Sequence, residues 1–143
     1  MTPVDGRTTG VTRVVVPVRY PLSRRSKRTV ERALAVAEDD DADLTVLHVN
    51  LYQNGHPITR SELKRAIETE FGRLPSVRYV VRSGFLVEET ILDEIAAEDA
   101  DIVVIGHRQA SRWKRLINRL VRDPDIESFL KNHLDCTVIT VSG

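Results

Sequence analysis

Five short apolar runs, each rich in β-branched residues and each followed by a segment of different periodicity, constrain this chain more than any other feature. They are RVVVPV (Arg13 to Val18), Leu44 to Val49 within DADLTVLHVN, VRYVVRSG (77–84), DIVVIG (Asp101 to Gly106) and CTVITV (Cys136 to Val141). Consecutive apolar positions suit strands buried on both faces, and strands alternating with helices at this spacing build βαβ units. The expected fold class is therefore α/β, a doubly wound, mostly parallel sheet with helices on both faces. At 143 residues the chain has the size of one such domain, which buries about 68% of its unfolded surface.

The intervening segments carry helical signals. In SKRTVERALAVAEDD, Val30, Leu34 and Ala37 share a face that Ala33 widens, after a loop holding Pro21 and a helix start near Ser23. Thr59 and Glu62 have the spacing of a capping box, with Ile58 and Leu63 at the staple positions. Leu63, Ile67, Phe71 and Leu74 continue that face, and Val87, Ile91 and Ile95 form another stripe. Trp113, Leu116, Ile117, Leu120 and Val121 also recur at helical spacing, and Asp123 can cap a further helix that has Pro124 at its first position. Residues 1–12 are polar and aperiodic and are expected to form a flexible arm, with the domain proper at 13–143.

Several function classes are disfavoured. Cys136 is the sole cysteine, so no intramolecular disulfide framework can form. No apolar run approaches the ~20 residues of a membrane span, and MTPVDGRTTG lacks the apolar core of a signal peptide, so a cytoplasmic location is expected. The acidic run EDDDAD reads as a solvated turn.

Charge is balanced, 21 basic against 21 acidic residues, but twelve of the 21 cations fall in two short segments. Arg19, Arg24, Arg25, Lys27, Arg28 and Arg32 follow the first strand, and Arg108, Arg112, Lys114, Arg115, Arg119 and Arg122 follow the fourth. In an open α/β sheet, ligands bind beyond the carboxyl ends of the strands where their order reverses. If the first and fourth strands are neighbours, both segments converge there, and helix N-termini add attraction for phosphate or carboxylate. The anion-binding or nucleotide-binding candidates are accordingly Pro17, Val18 and Arg19 after the first strand, and Gly106, His107, Arg108, Gln109 and Arg112 after the fourth. The second segment, a basic amphipathic helix, could equally face RNA, a membrane surface or a protein partner.

No catalytic residue is assigned. His107 lies beside the expected crevice without a nucleophile motif, His48 reads as structural, His56 belongs to a turn and His133 to a helix end. The acids show no metal-ligand spacing, and neither GxGxxG nor GxxxxGK occurs.

VVVPV, DIVVIGHR, CTVITV and the KRLI segment from Lys114 to Ile117, taken in order, resemble the universal stress protein family from about Thr12 to Val141. The resemblance implies a five-stranded parallel sheet in the order 3-2-1-4-5 and a homodimer through the last strand. It also implies, for ATP-binding members, an Asp after the first strand and Gly-x2-Gly-x9-Gly-Ser/Thr after the fourth. Here Arg19 stands at the Asp position, Gly106 matches the first glycine, and Gln109 stands at the second. Arg119 and Leu120 occupy the final pair; aligned backward from Cys136, Pro124 and Asp125 do, with about five residues inserted. A missing glycine adds a side chain where backbone would approach phosphate, and Arg for Asp replaces a ribose acceptor by a guanidinium fork. No cofactor is assigned, and ATP in the family's usual pose is not expected.

The expected function is a non-enzymatic stress-response regulatory or binding module with a basic, anion-attracting crevice. Its expected partners are a second copy of itself, a phosphorylated small molecule or RNA, and a regulatory protein. Two alternatives stand beside it: an RNA- or ribosome-associated protein, and a nucleotide-binding protein with weak ATP hydrolase or phosphotransferase activity.

Overall fold

The structure is a computed structural model that describes residues 11–120 and 136–142, with backbone alone for 116–120. Residues 1–10 of the expected arm, the expected helix beginning at Asp123, and His133 lie outside the described residues. The elements in chain order are β1 (Arg13–Pro17), α1 (Arg24–Asp39), β2 (Asp43–Leu51), a 3₁₀ turn (Tyr52–Asn54), α2 (Arg60–Phe71), β3 (Val77–Gly84), α3 (Val87–Glu98), β4 (Ile102–Gly106), α4 (His107–Leu120) and β5 (Thr137–Val141). The five strands form one sheet in the order β3-β2-β1-β4-β5, and every pairing is parallel.

The period-two geometry of a strand explains why the central runs are apolar throughout. Val14 and Val16 of β1 point into a core with Val30 and Ala33 of α1 and Leu63 and Ile67 of α2. Val15 points the other way, against Val103 and Ile105 of β4, Ile91 and Ile95 of α3 and Trp113 of α4. Each such side chain, once buried, contributes roughly 1.5–3 kcal/mol.

Local signals set the helix starts. Ser23 caps α1 by accepting from the Ser26 N–H at 3.1 Å. At α2 the capping box is complete: the Glu62 N–H donates to Thr59 Oγ1 at 3.1 Å, and the Thr59 N–H donates to Glu62 Oε1 at 2.8 Å. β2 runs one residue earlier and two later than its apolar run, because it stays in register with β3 as far as Leu51↔Gly84. The uneven alternation of β3 has a tertiary cause. Arg78 and Arg82 lie on the α3 side of the sheet, where each meets a buried glutamate.

The two ends of the central strands differ. At the amino end Asp101 Oδ2 accepts from the Arg13 N–H at 2.8 Å, the Asp101 N–H donates to Arg13 O at 2.9 Å, and Thr137 N–H donates to Asp101 O at 2.8 Å. This clamp ties β1, β4 and β5 together. Toward the carboxyl end the β1–β4 register stops at Val15↔Val103, whereas β1–β2 continues to Pro17↔Leu47. The sheet is thus fastened at one end and open at the other, between the two strands at which its order reverses.

Candidate functional site

A cleft of about 900 Å³ occupies that opening. Its walls come from the residues after β1, the first turns of α1, the end of β4, the first turns of α4 and the end of β5. All eight residues expected at the crevice line it: Pro17, Val18, Arg19, Gly106, His107, Arg108, Gln109 and Arg112. The convergence follows from the strand order, since β1 and β4 are neighbours and each delivers its following segment to the same end of the sheet.

The same cleft takes in residues that sequence reasoning placed in a basic run without assigning them to a site, notably Arg24 and Arg28 of α1. Lys114 and Arg115 of α4 are exposed and do not line it. A second cleft of about 510 Å³ adjoins, sharing Arg19, Tyr20, Gln109 and Arg112 and extending over the ends of β2 to His48, Asn50 and His56.

The charge pattern is one-sided. Among the described residues no Asp or Glu lines the larger cleft, while Arg19, Arg24, Arg25, Arg28, Arg108 and Arg112 do. α2 and α3 begin with acids in the first turn, Glu62 and the pair Glu88 and Glu89, as the positive end of a helix dipole favours. α1 and α4 carry no acid there and present arginine instead. An unfavourable charge in a first turn costs about 0.3–1 kcal/mol. The folding energetics of these two helices therefore work against the arrangement, and an anion between them would offset that. The absence of acids from the first turns of α1 and α4 is readable in the sequence and could have nominated Arg24 and Arg28.

The walls of the site are held by specific contacts. His48 Nδ1 donates to Val18 O at 3.0 Å, which ties β2 to the segment after β1, and the Val18 N–H donates to Leu47 O at 2.8 Å. Burial lowers the pKa of His48 against the raising effect of its bonds to Val18 and Asn50, so the ring stays neutral and serves structure. Tyr20 packs edge-on against that ring at 6.2 Å. On the α4 side, Gln109 Nε2 donates to Glu88 Oε2 at 3.1 Å and the fully buried Trp113 donates from Nε1 to Glu88 O at 3.1 Å, fixing α4 to α3. The Ser111 hydroxyl donates to His107 O at 3.2 Å, so that serine is engaged with helix backbone. Among the described residues no group of three or more His, Cys, Asp or Glu could hold a metal, and no helix is long and apolar enough to cross a membrane.

Comparison with known proteins gives one consistent result. The universal stress protein family matches residues 10–141. Among solved structures the chain is similar to the universal stress protein UspA from Lactobacillus plantarum, at 22% identity and a TM-score of 0.57, covering 91% of this chain and 97% of that one. It is similar to a universal stress protein from Archaeoglobus fulgidus DSM 4304 at 21% identity and a TM-score of 0.60, covering 91% of this chain and 43% of the longer one. A universal stress protein solved in complex with cAMP is similar at 16% identity and a TM-score of 0.53, covering 90% and 96%. No curated protein sequence matches.

Proposed function

Since the chain belongs to the universal stress protein family, we propose that it is a non-enzymatic binding module whose basic crevice holds a phosphorylated small molecule. The observation that carries this reading is the convergence of Arg19, Arg108 and Arg112 on one cleft that, among the described residues, no carboxylate lines. Charges of one sign in a concave, low-dielectric site raise the local potential more than the same charges scattered over a surface. The adjoining smaller cleft, with Leu47, Val49 and Ile91 beside His48 and Asn50, suits the uncharged part of such a ligand.

The phosphate pose that family resemblance implies for ATP-binding members does not suit these residues. Arg19 offers a guanidinium where a ribose acceptor stands, and Gln109 fills a glycine position with a side chain already bonded to Glu88. cAMP, bound by one structurally similar protein, is a fitting first probe because it carries a single phosphate.

Titration calorimetry with cAMP and with AMP is the test. Binding in the micromolar to millimolar range should weaken at least tenfold in Arg19→Ala and should fall as salt rises, since the Debye length is only about 8 Å near 0.15 M. Salt-independent binding that survives Arg19→Ala would refute the reading. RNA is the second reading, favoured by Lys114 and Arg115, which continue the cationic surface of α4 outside the cleft. Binding of single-stranded RNA that is lost in Lys114→Ala/Arg115→Ala and kept in Arg19→Ala would establish it instead.

Self-association belongs to the same proposal. β5 is an edge strand with Val138, Ile139 and Val141 partly buried, and an apolar edge of this kind is satisfied by a symmetry mate. Sedimentation at micromolar concentration should give the mass of a dimer; a monomeric profile would reject it.

A further inference from the structure

We infer that the crevice takes a ligand with at least two separate phosphate groups, one held by Arg24 and Arg28 of α1 and the other by Arg108 and Arg112 of α4. This rests on the crevice being an anion site and goes further by fixing the charge and span of the ligand. Arg24 and Arg28 are four residues apart, as are Arg108 and Arg112, so each pair projects from one side of its helix. Both pairs line the same cleft. α1 packs on one face of the sheet and α4 on the other, so the pairs stand on opposite walls with Arg19, at the end of β1, between them.

Each pair is unfavourable without an anion. Like charges four apart on a helix repel, and both pairs begin in the first two turns, next to the positive end of the helix dipole. A guanidinium pair offers several N–H donors in planar forks, a geometry that matches a phosphate's oxygens. Among the described residues, the hydroxyls at the α1 wall bear no negative charge and are engaged locally. Ser23 Oγ accepts from the Ser26 N–H as the helix cap, and Thr29 Oγ1 donates to Arg25 O at 2.9 Å. A single phosphate would neutralise one wall and leave the other cationic, whereas a doubly phosphorylated small molecule or a short polyphosphate chain answers both. The cleft, at about 900 Å³, has the size of a site for a whole small molecule.

The test uses inorganic orthophosphate and inorganic tripolyphosphate as probes of the full chain, with Trp113 fluorescence confirming the fold of each variant. Tripolyphosphate should bind the unmodified protein at least 30-fold tighter than orthophosphate. Arg24→Ala/Arg28→Ala and Arg108→Ala/Arg112→Ala should each weaken tripolyphosphate binding at least tenfold. Arg60→Ala/Lys64→Ala, which removes an equivalent exposed pair from α2, should change it less than twofold. If the α4 pair matters and the α1 pair does not, the crevice remains an anion site with a single phosphate position and the two-phosphate inference falls. Absence of binding to either probe would remove both that inference and the anion reading beneath it. Binding restricted to single-stranded RNA and lost in both arginine-pair variants would overturn the small-molecule assignment in favour of nucleic acid.

Discussion

Replacing Glu98 by Gln should leave the stability of the fold nearly unchanged at pH 5 and raise it above that of the unmodified protein at pH 8. Glu98 lies in the last turn of α3, 7% exposed, and its Oε1 accepts from Thr45 Oγ1 at 3.0 Å. Its Oε2 is buried and makes no hydrogen bond as a carboxylate; Arg78 Nη2 lies 3.4 Å away, outside hydrogen-bonding geometry and on a side chain that is 61% exposed. One turn earlier, Glu94 receives two bonds from Arg82, at 2.7 and 3.3 Å. Hydrogen bonding between the two carboxyls, which needs one of them protonated, raises the pKa of Glu98 and lowers that of Glu94. That proton sits on Glu98, where burial first and the bond to Glu94 second push the pKa up from 4.5 to about 7.

The sign follows from linkage. Between pH 4.5 and about 7 the folded state keeps a proton that the unfolded chain has released, so stability falls as pH rises through that window. Each pH unit is worth up to about 1.4 kcal/mol, giving at most about 3 kcal/mol by pH 8. Glu94 works in a different window. Burial raises its pKa, but bonds from Glu98 and Arg82 prevail and lower it, so its contribution is present above 4.5 and is lost only at lower pH. Gln at 98 mimics the protonated acid, its amide donating to Glu94 while its oxygen accepts from Thr45. Urea unfolding followed by fluorescence of Trp113, the sole tryptophan and fully buried, measures the difference at pH 5, 6, 7 and 8. A difference that stays constant from pH 5 to 8, or one in which the unmodified protein gains on the variant as pH rises, would refute the shared-proton account.

Thr59→Ala removes the side-chain acceptor of the capping box and should destabilise the fold by about 1 kcal/mol, read as a lower urea midpoint at unchanged slope. Gly84→Ala places a Cβ against the Thr90 hydroxyl, which is held by its bond to Leu86 O at 2.8 Å; the expected loss is about 1–3 kcal/mol, and much of it should return in a Thr90→Ala background. An unaltered midpoint in Gly84→Ala would show that the start of α3 yields freely.

The sequence by itself determined the elements, because their signals are local. The β-branched runs became strands, Ser23 and the Thr59/Glu62 pair became helix caps, and Val30, Ala33, Leu63, Ile67, Ile91 and Ile95 became core, since a period of two or of 3.6 reports which face of an element is buried. The candidate crevice was legible to the same extent: a strand end followed by a cationic segment, twice over, together with the rule for where open sheets bind ligands. What the segments meet was decided only in three dimensions. Arg24 and Arg28 resemble ordinary solvated helix charges until the β1–β4 pairing places them across a cleft from Arg108 and Arg112, some eighty residues later. Glu94 and Glu98 likewise resemble the polar face of α3, and Arg78 and Arg82 interruptions of a strand. Packing α3 against β2 and β3 buries the glutamates beneath the arginines and beside Thr45. Periodicity shows that a side chain faces a neighbour, while the chemistry of the pair depends on which element supplies that neighbour, and strand order alone determines that.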